Sequence, residues 1–153
     1  MNKRNWIHRS KETSRLQFNR SHHRIARFES LEVRRLLAIT VDTLTDELDG
    51  SIVDGDISLR DAIAAAVAGD TIDFAVAGTI ELSLGELTVA KDLTITGPGA
   101  DQLAVSGNSA SRVFWVDFGV TATIDRLTIT DGGGVYSGGG IFNAGTLWLN
   151  QSV

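Results

Sequence analysis

The residues best suited to acid–base or metal chemistry are carboxylates, and sixteen of the 19 Asp and Glu in this 153-residue chain follow residue 37. Asp117 and Asp125 would serve as a glycosidase pair if stacking on neighbouring rungs held their carboxyl groups about 5–10 Å apart. With sixteen acids on one small domain, however, close carboxylates arise without any catalytic requirement. Asp42 to Asp56 is acid-rich, but taking Gly50 as the glycine of an EF-hand loop would require Asp where Thr45 stands. It reads instead as a solvated acidic loop. The tract Gly132-Gly-Gly-Val-Tyr-Ser-Gly-Gly-Gly140 lacks the Gly-Lys-Ser/Thr of a phosphate loop and the Asp of calcium-binding glycine repeats. It reads as a mobile turn between two coils, with Gly139 and Gly140 restarting a strand at Ile141. His8, His22 and His23 lie in a basic segment without a nearby acidic partner and read as solvated. No catalytic, cofactor-binding or metal residue is assigned from these patterns, and no cofactor is expected.

The elements that would position such groups are short strands. The triplets Leu93-Thr-Ile95, Val113-Phe-Trp115, Leu127-Thr-Ile129 and Leu147-Trp-Leu149 alternate apolar, other, apolar, with turn signals such as Gly97-Pro98-Gly99 nearby. Two pairs are twenty residues apart (93 to 113, 127 to 147), which suggests stacked β-coils. Thr71–Phe74, Thr79–Leu82, Glu86–Val89 and Leu103–Val105 continue the rhythm. Ahead of them, Ser58-Leu-Arg-Asp61 is a capping box opening a helix over about 59–68, which Gly69 stops. Leu59, Ile63 and either Ala66 or Val67 fall on one face, suiting a helix laid over the first rung. Ser58→Ala should then cost about 1 kcal/mol, with Thr or Asp restoring most of it.

Charge divides the chain. Residues 1–37 hold ten Lys/Arg against three Asp/Glu, whereas residues 38–153 hold four against sixteen. The first segment has few apolar residues and reads as a disordered leader over 1–38, protease-sensitive and dispensable for folding. It lacks the interleaved aromatics of a nucleic-acid-binding tail and precedes an acidic domain, so no nucleic-acid partner is expected. Cysteine is absent, which excludes disulfides and thiolate metal sites. The run Leu36-Leu37-Ala38-Ile39 is shorter than a signal-peptide core, and no stretch approaches a transmembrane span.

Two motifs carry resemblances. Ser58-Leu59-Arg60 and Ala62, in Asp49-Gly-Ser-Ile-Val-Asp-Gly-Asp-Ile-Ser-Leu-Arg-Asp-Ala-Ile63, resemble the CSLREA domain of secreted bacterial repeat proteins. Ile57 stands where that motif has Cys, Ile52 near its partner, and Asp61 replaces Glu. The resemblance implies that Ile52 and Ile57 meet in an apolar cluster in place of a disulfide, so polar substitution of both should cost ~3 kcal/mol or more. Leu93-Thr-Ile-Thr-Gly-Pro-Gly-Ala100, Ser111-Arg-Val-Phe114 and Gly138-Gly-Gly-Ile-Phe-Asn-Ala-Gly-Thr-Leu147 are similar to right-handed parallel β-helix proteins of the polymorphic outer-membrane and pectate-lyase-like kind. Phe28-Glu-Ser-Leu-Glu-Val-Arg-Arg-Leu-Leu-Ala38 resembles the LEPR-XLL motif of large planctomycete surface proteins, with Val33 in the Pro position. That resemblance implies an export or sorting signal and a mature chain beginning near Ile39. A pectate-lyase-like activity would require an acidic calcium site and a basic residue that abstracts a proton. The candidates are Asp117, Asp125 and Asp131 with Arg112, Arg126 or Lys91. Asp125 and Arg126 are adjacent, so only a turn between them would aim both into one groove.

The expected fold is all-β: a right-handed parallel β-helix, read as incomplete, with a basic leader over 1–38, a CSLREA-like cap over 39–70 carrying one short helix, and coils over 71–153. Leu147-Trp-Leu149-Asn-Gln-Ser-Val153 ends inside a coil, and a bare rung of Leu-sized side chains forfeits about 5–10 kcal/mol. The end is therefore expected to meet further coils or a second copy. The expected role is non-catalytic, structural or adhesive, at the cell surface or outside the cell, with carbohydrate or protein as partner. The alternative is a polysaccharide lyase or glycoside hydrolase of the β-helix kind, or its inactive relic.

Overall fold

A computed structural model describes residues 38–53, 55–134 and 136–153. His8, His22, His23 and most of the Phe28–Ala38 motif lie outside the described residues. Strands β1 (Ala38–Val41), β2 (Thr71–Phe74), β5 (Leu93–Thr96), β8 (Thr121–Asp125) and β11 (Thr146–Asn150) form one sheet in that order. Strands β3 (Gly78–Glu81), β6 (Leu103–Ser106) and β9 (Thr128–Thr130) form a second, and β4 (Leu87–Val89), β7 (Phe114–Val116) and β10 (Ile141–Asn143) a third. All pairings are parallel. The chain thus winds through the three sheets in turn for about three coils, as a parallel β-helix. No helix among the described residues is long and apolar enough to cross a membrane.

The core is a set of like-on-like ladders inside the coil. Ile72, Ile95 and Ile124 stack in the first sheet, each with no solvent exposure. Ile80 and Val105 stack in the second sheet, Leu87 and Phe114 in the third, all fully buried. Toward the last coil burial weakens, because Ile129, Ile141 and Leu147 are only half-buried and Leu149 is 49% exposed.

The ladder partners differ from those suggested by the twenty-residue spacing. Leu93 and Val113 begin segments of different sheets, and the true rung length is 23 residues from Ile72 to Ile95 and 29 from Leu93 to Ala122. Rungs differ in length because turns, unlike ladders, absorb extra residues. The Val113 triplet is also out of phase by one. Phe114 and Val116 point inward, and Trp115 faces outward, half-buried. Residues 121–125 contribute a full strand that the triplets did not mark, since its inward residues are Ala122 and Ile124.

The helix, α1, spans Leu59–Ala65 and so ends before residue 68. Carbonyls at its end find a partner outside the helix, Lys91 Nζ donating to Ala64 O at 2.8 Å and to Ala66 O at 2.5 Å, and the next N–H, that of Val67, donates to Asp70 Oδ2. These bonds terminate the helix ahead of Gly69, whose own N–H donates to Asp92 O. At the other end Ser58 caps as expected, its Oγ accepting from Asp61 N at 3.0 Å. Asp61 does not reach back to the Ser58 backbone. Its carboxylate lies 2.8 Å from Ser58 Oγ and accepts from Gly50 N. Ser58 is fully buried and Asp61 nearly so, which raises the expected cost of Ser58→Ala to about 2 kcal/mol, because a buried carboxylate loses a partner. Asp at 58 would set two buried carboxylates together and should not rescue, as urea unfolding of both variants would reveal.

Ile52 and Ile57 line one apolar groove, but they do not make a closed cluster: Ile52 is 37% exposed and Ile57 half-buried. Replacing both by Ser is accordingly expected to cost about 1–2 kcal/mol in chemical denaturation, less than a sealed pair would.

Candidate functional site

The residues a lyase would use are dispersed. Asp117 follows β7, Asp125 ends β8 and Asp131 follows β9, so one acid belongs to each sheet. Asp117 precedes β8 and Asp125 is its last residue, so the strand's length of about 13 Å lies between them, too far for a glycosidase pair. Asp117 Oδ1 accepts from Phe118 N, and Asp131 Oδ2 lies 3.2 Å from Thr130 Oγ1. No group of three potential metal ligands forms among the described residues.

The bases are committed elsewhere. Lys91 closes α1. Arg112 is buried, with Nη1 2.6 Å from Glu86 Oε2, Nε donating to Gly138 O and Nη2 to Ser137 O. Arg126 does turn back on Asp125: its φ of 55° reverses the chain, and its Nε lies 3.6 Å from Asp125 Oδ2 at an exposed corner. That turn recurs one rung on, where Gln151 has φ 44° after Asn150.

Arg60, read from sequence as part of a capping box and of the CSLREA-like motif, is a structural clamp. Its Nε and Nη2 grip Asp46 at 2.7 and 3.1 Å, while Nη1 donates to Glu86 O and Nη2 to Gly85 O. Asp46 Oδ2 also accepts from Ser83 N and Leu84 N. Burial pushes the Asp46 carboxyl up, but the Arg60 hydrogen bond, the two backbone N–H groups and the guanidinium charge outweigh it and hold the group below its ordinary value. The stretch 42–56 is therefore not a wholly solvated loop. The Asp46 side chain is 2% exposed, and Asp42 Oδ1 accepts from Ile57 N.

The two arginines repeat one arrangement on successive layers. Each pairs with a carboxylate from the preceding layer, Asp46 or Glu86, and donates to two consecutive carbonyls of a turn entering the third sheet. The described flanks of the glycine tract, residues 132–134 and 136–140, are consequently bonded to the preceding layer. Besides Arg112, Gly133 N donates to Ser111 O, and Phe114 N to Gly140 O. A side chain at Gly132 would collide with the Gly139 carbonyl, which explains glycine where the two flanks of this turn cross. The strand restarts at Ile141 as expected, and Tyr136 stands fully exposed.

On the outer face of the third sheet Trp115 and Phe142 stack with centroids 4.5 Å apart and planes 20° apart. The Arg112 guanidinium carbon is 5.0 Å from both centroids, a cation–π contact that ties the pair to the buried arginine.

Two surface concavities stand out. A groove of about 500 Å³ lies beside β1 and the end of α1, lined chiefly by Ile39, Ile52, Ile57, Ala65 and Val67 together with Asp42 and Asp70. A shallower one of about 320 Å³, lined by Asp92, Thr94, Thr121 and Thr123, lies on the outer face of the first sheet.

No family model, curated protein or solved structure matches the chain.

Proposed function

We propose that this chain is a non-catalytic β-helix protein of the cell surface or extracellular space, with a structural or adhesive role. The observation that carries the reading is the commitment of its cations. Of four Lys and Arg in residues 38–153, Arg60, Lys91 and Arg112 are bound to backbone carbonyls, two of them also to carboxylates, which leaves Arg126, at an exposed corner, as the one base not so held. The resemblance of residues 28–38 to a surface-protein leader supports the location. The half-open last rung, with Leu147 half-buried and Leu149 49% exposed, suits stacking against a second copy. A carbohydrate or protein ligand would fit the adhesive role.

The test is incubation of the purified chain with a panel of acidic and neutral polysaccharides, with and without calcium. Unsaturated products and new reducing ends are followed, and light scattering reports self-association. No turnover is expected. Calcium-dependent cleavage abolished by Arg126→Ala would replace this reading with the lyase alternative, since Arg126 at the Asp125 turn is the exposed base.

A further inference from the structure

In a parallel ladder, alternate residues of an outermost strand direct both backbone groups away from the neighbouring strand. Ala75 N donates to Val41 O at 2.8 Å, so Val41 and, two positions back, Ile39 address β2. Ala38, Thr40 and Asp42 therefore address the opposite side. Asp42 N is satisfied there by Ile57 O at 3.1 Å. Among the described residues nothing pairs with the backbone of Thr40, which lines the 500 Å³ groove.

We propose that this groove binds an extended peptide segment of a partner protein by strand addition to β1, with apolar residues at alternate positions and basic residues flanking them. A strand is the occupant because its backbone satisfies the donor and acceptor of Thr40 that no described residue meets. An aliphatic molecule would bury them unpaired. Alternation follows from the strand period: every second side chain points toward the apolar wall formed by Ile52, Ile57 and Val67. The flanks are basic because the lining holds Asp42 and Asp70 and no cation, within a segment carrying sixteen acids against four bases. This binding would hold whether or not the scaffold is adhesive elsewhere.

The experiment titrates the full chain against a dye-labelled peptide of alternating valine and threonine, lysine-flanked at both ends, by fluorescence anisotropy. Saturable binding that weakens with added salt is expected, with versions carrying glutamate flanks or a central proline binding at least about tenfold more weakly. Thr40→Pro removes an edge N–H while leaving the bonds from β1 to β2, and should weaken the lysine-flanked peptide about tenfold. Should that variant not fold, Val67→Arg serves instead: the site is 61% exposed, and the new cation should invert the preference between lysine and glutamate flanks. Equal binding of the proline-interrupted peptide, or displacement by laurate with no effect of either substitution, would assign the groove to an aliphatic small molecule and overturn strand addition. Absence of saturable binding would overturn it outright.

Discussion

Replacing Asp46 by Ala is expected to lower the unfolding free energy by about 3–5 kcal/mol, because it strands the Arg60 guanidinium in a largely buried position and leaves the Ser83 and Leu84 N–H groups without their acceptor. Equilibrium denaturation measures this directly, and a loss below about 1 kcal/mol would reduce the clamp to an incidental surface pair. The same contact sets an acid limit. The folded-state carboxyl titrates below its unfolded value, so its stabilisation is fully present above about pH 4 and is lost as pH falls through the folded-state value. Asp46→Asn should be less stable at neutral pH and lose less on acidification, so the two stability curves converge toward low pH.

Phe114→Ala carries the second large effect, about 3–5 kcal/mol, because Phe114 is fully buried between Leu87 and Ile141 in the third sheet and its removal opens a hole spanning three layers. Truncating Leu149 should cost under about 1 kcal/mol, since half of that side chain already faces water. Thermal unfolding of the two variants compares a sealed layer with an open one, and equal losses would show Leu149 covered in solution, as stacking of copies would produce.

How far the sequence spoke depended on whether the relevant partner was local. Strand alternation at Leu93–Ile95 and capping at Ser58 are short-range effects and were legible. Which strand lies on which was not, because ladder neighbours are 23–33 residues apart through turns of unequal length. The phase error at Val113 has a related origin: Val113 is buried at the turn itself, so three successive apolar residues could be read in either register. Ala122 carries too small a side chain to announce a strand. The clamp made by Arg60 was not legible, since its partners are 14 residues before it and 25 and 26 after it. The lyase candidates failed for the opposite reason, for their nearness in sequence spread them round the coil onto separate sheets.

The paired arginines bear on how the molecule comes apart. In a stack where each layer touches only its neighbours, ends fray independently and cooperativity decays along the axis. Arg60 and Arg112 link Asp46 to residues 85–86, and Glu86 to residues 137–138, along one flank. Opening any junction on that flank would expose a charge held by both adjoining turns. Fraying should therefore begin on the first sheet at β11 and halt at the arginine flank, so that amide protons of β4 and β7 exchange together, as if two layers were one unit.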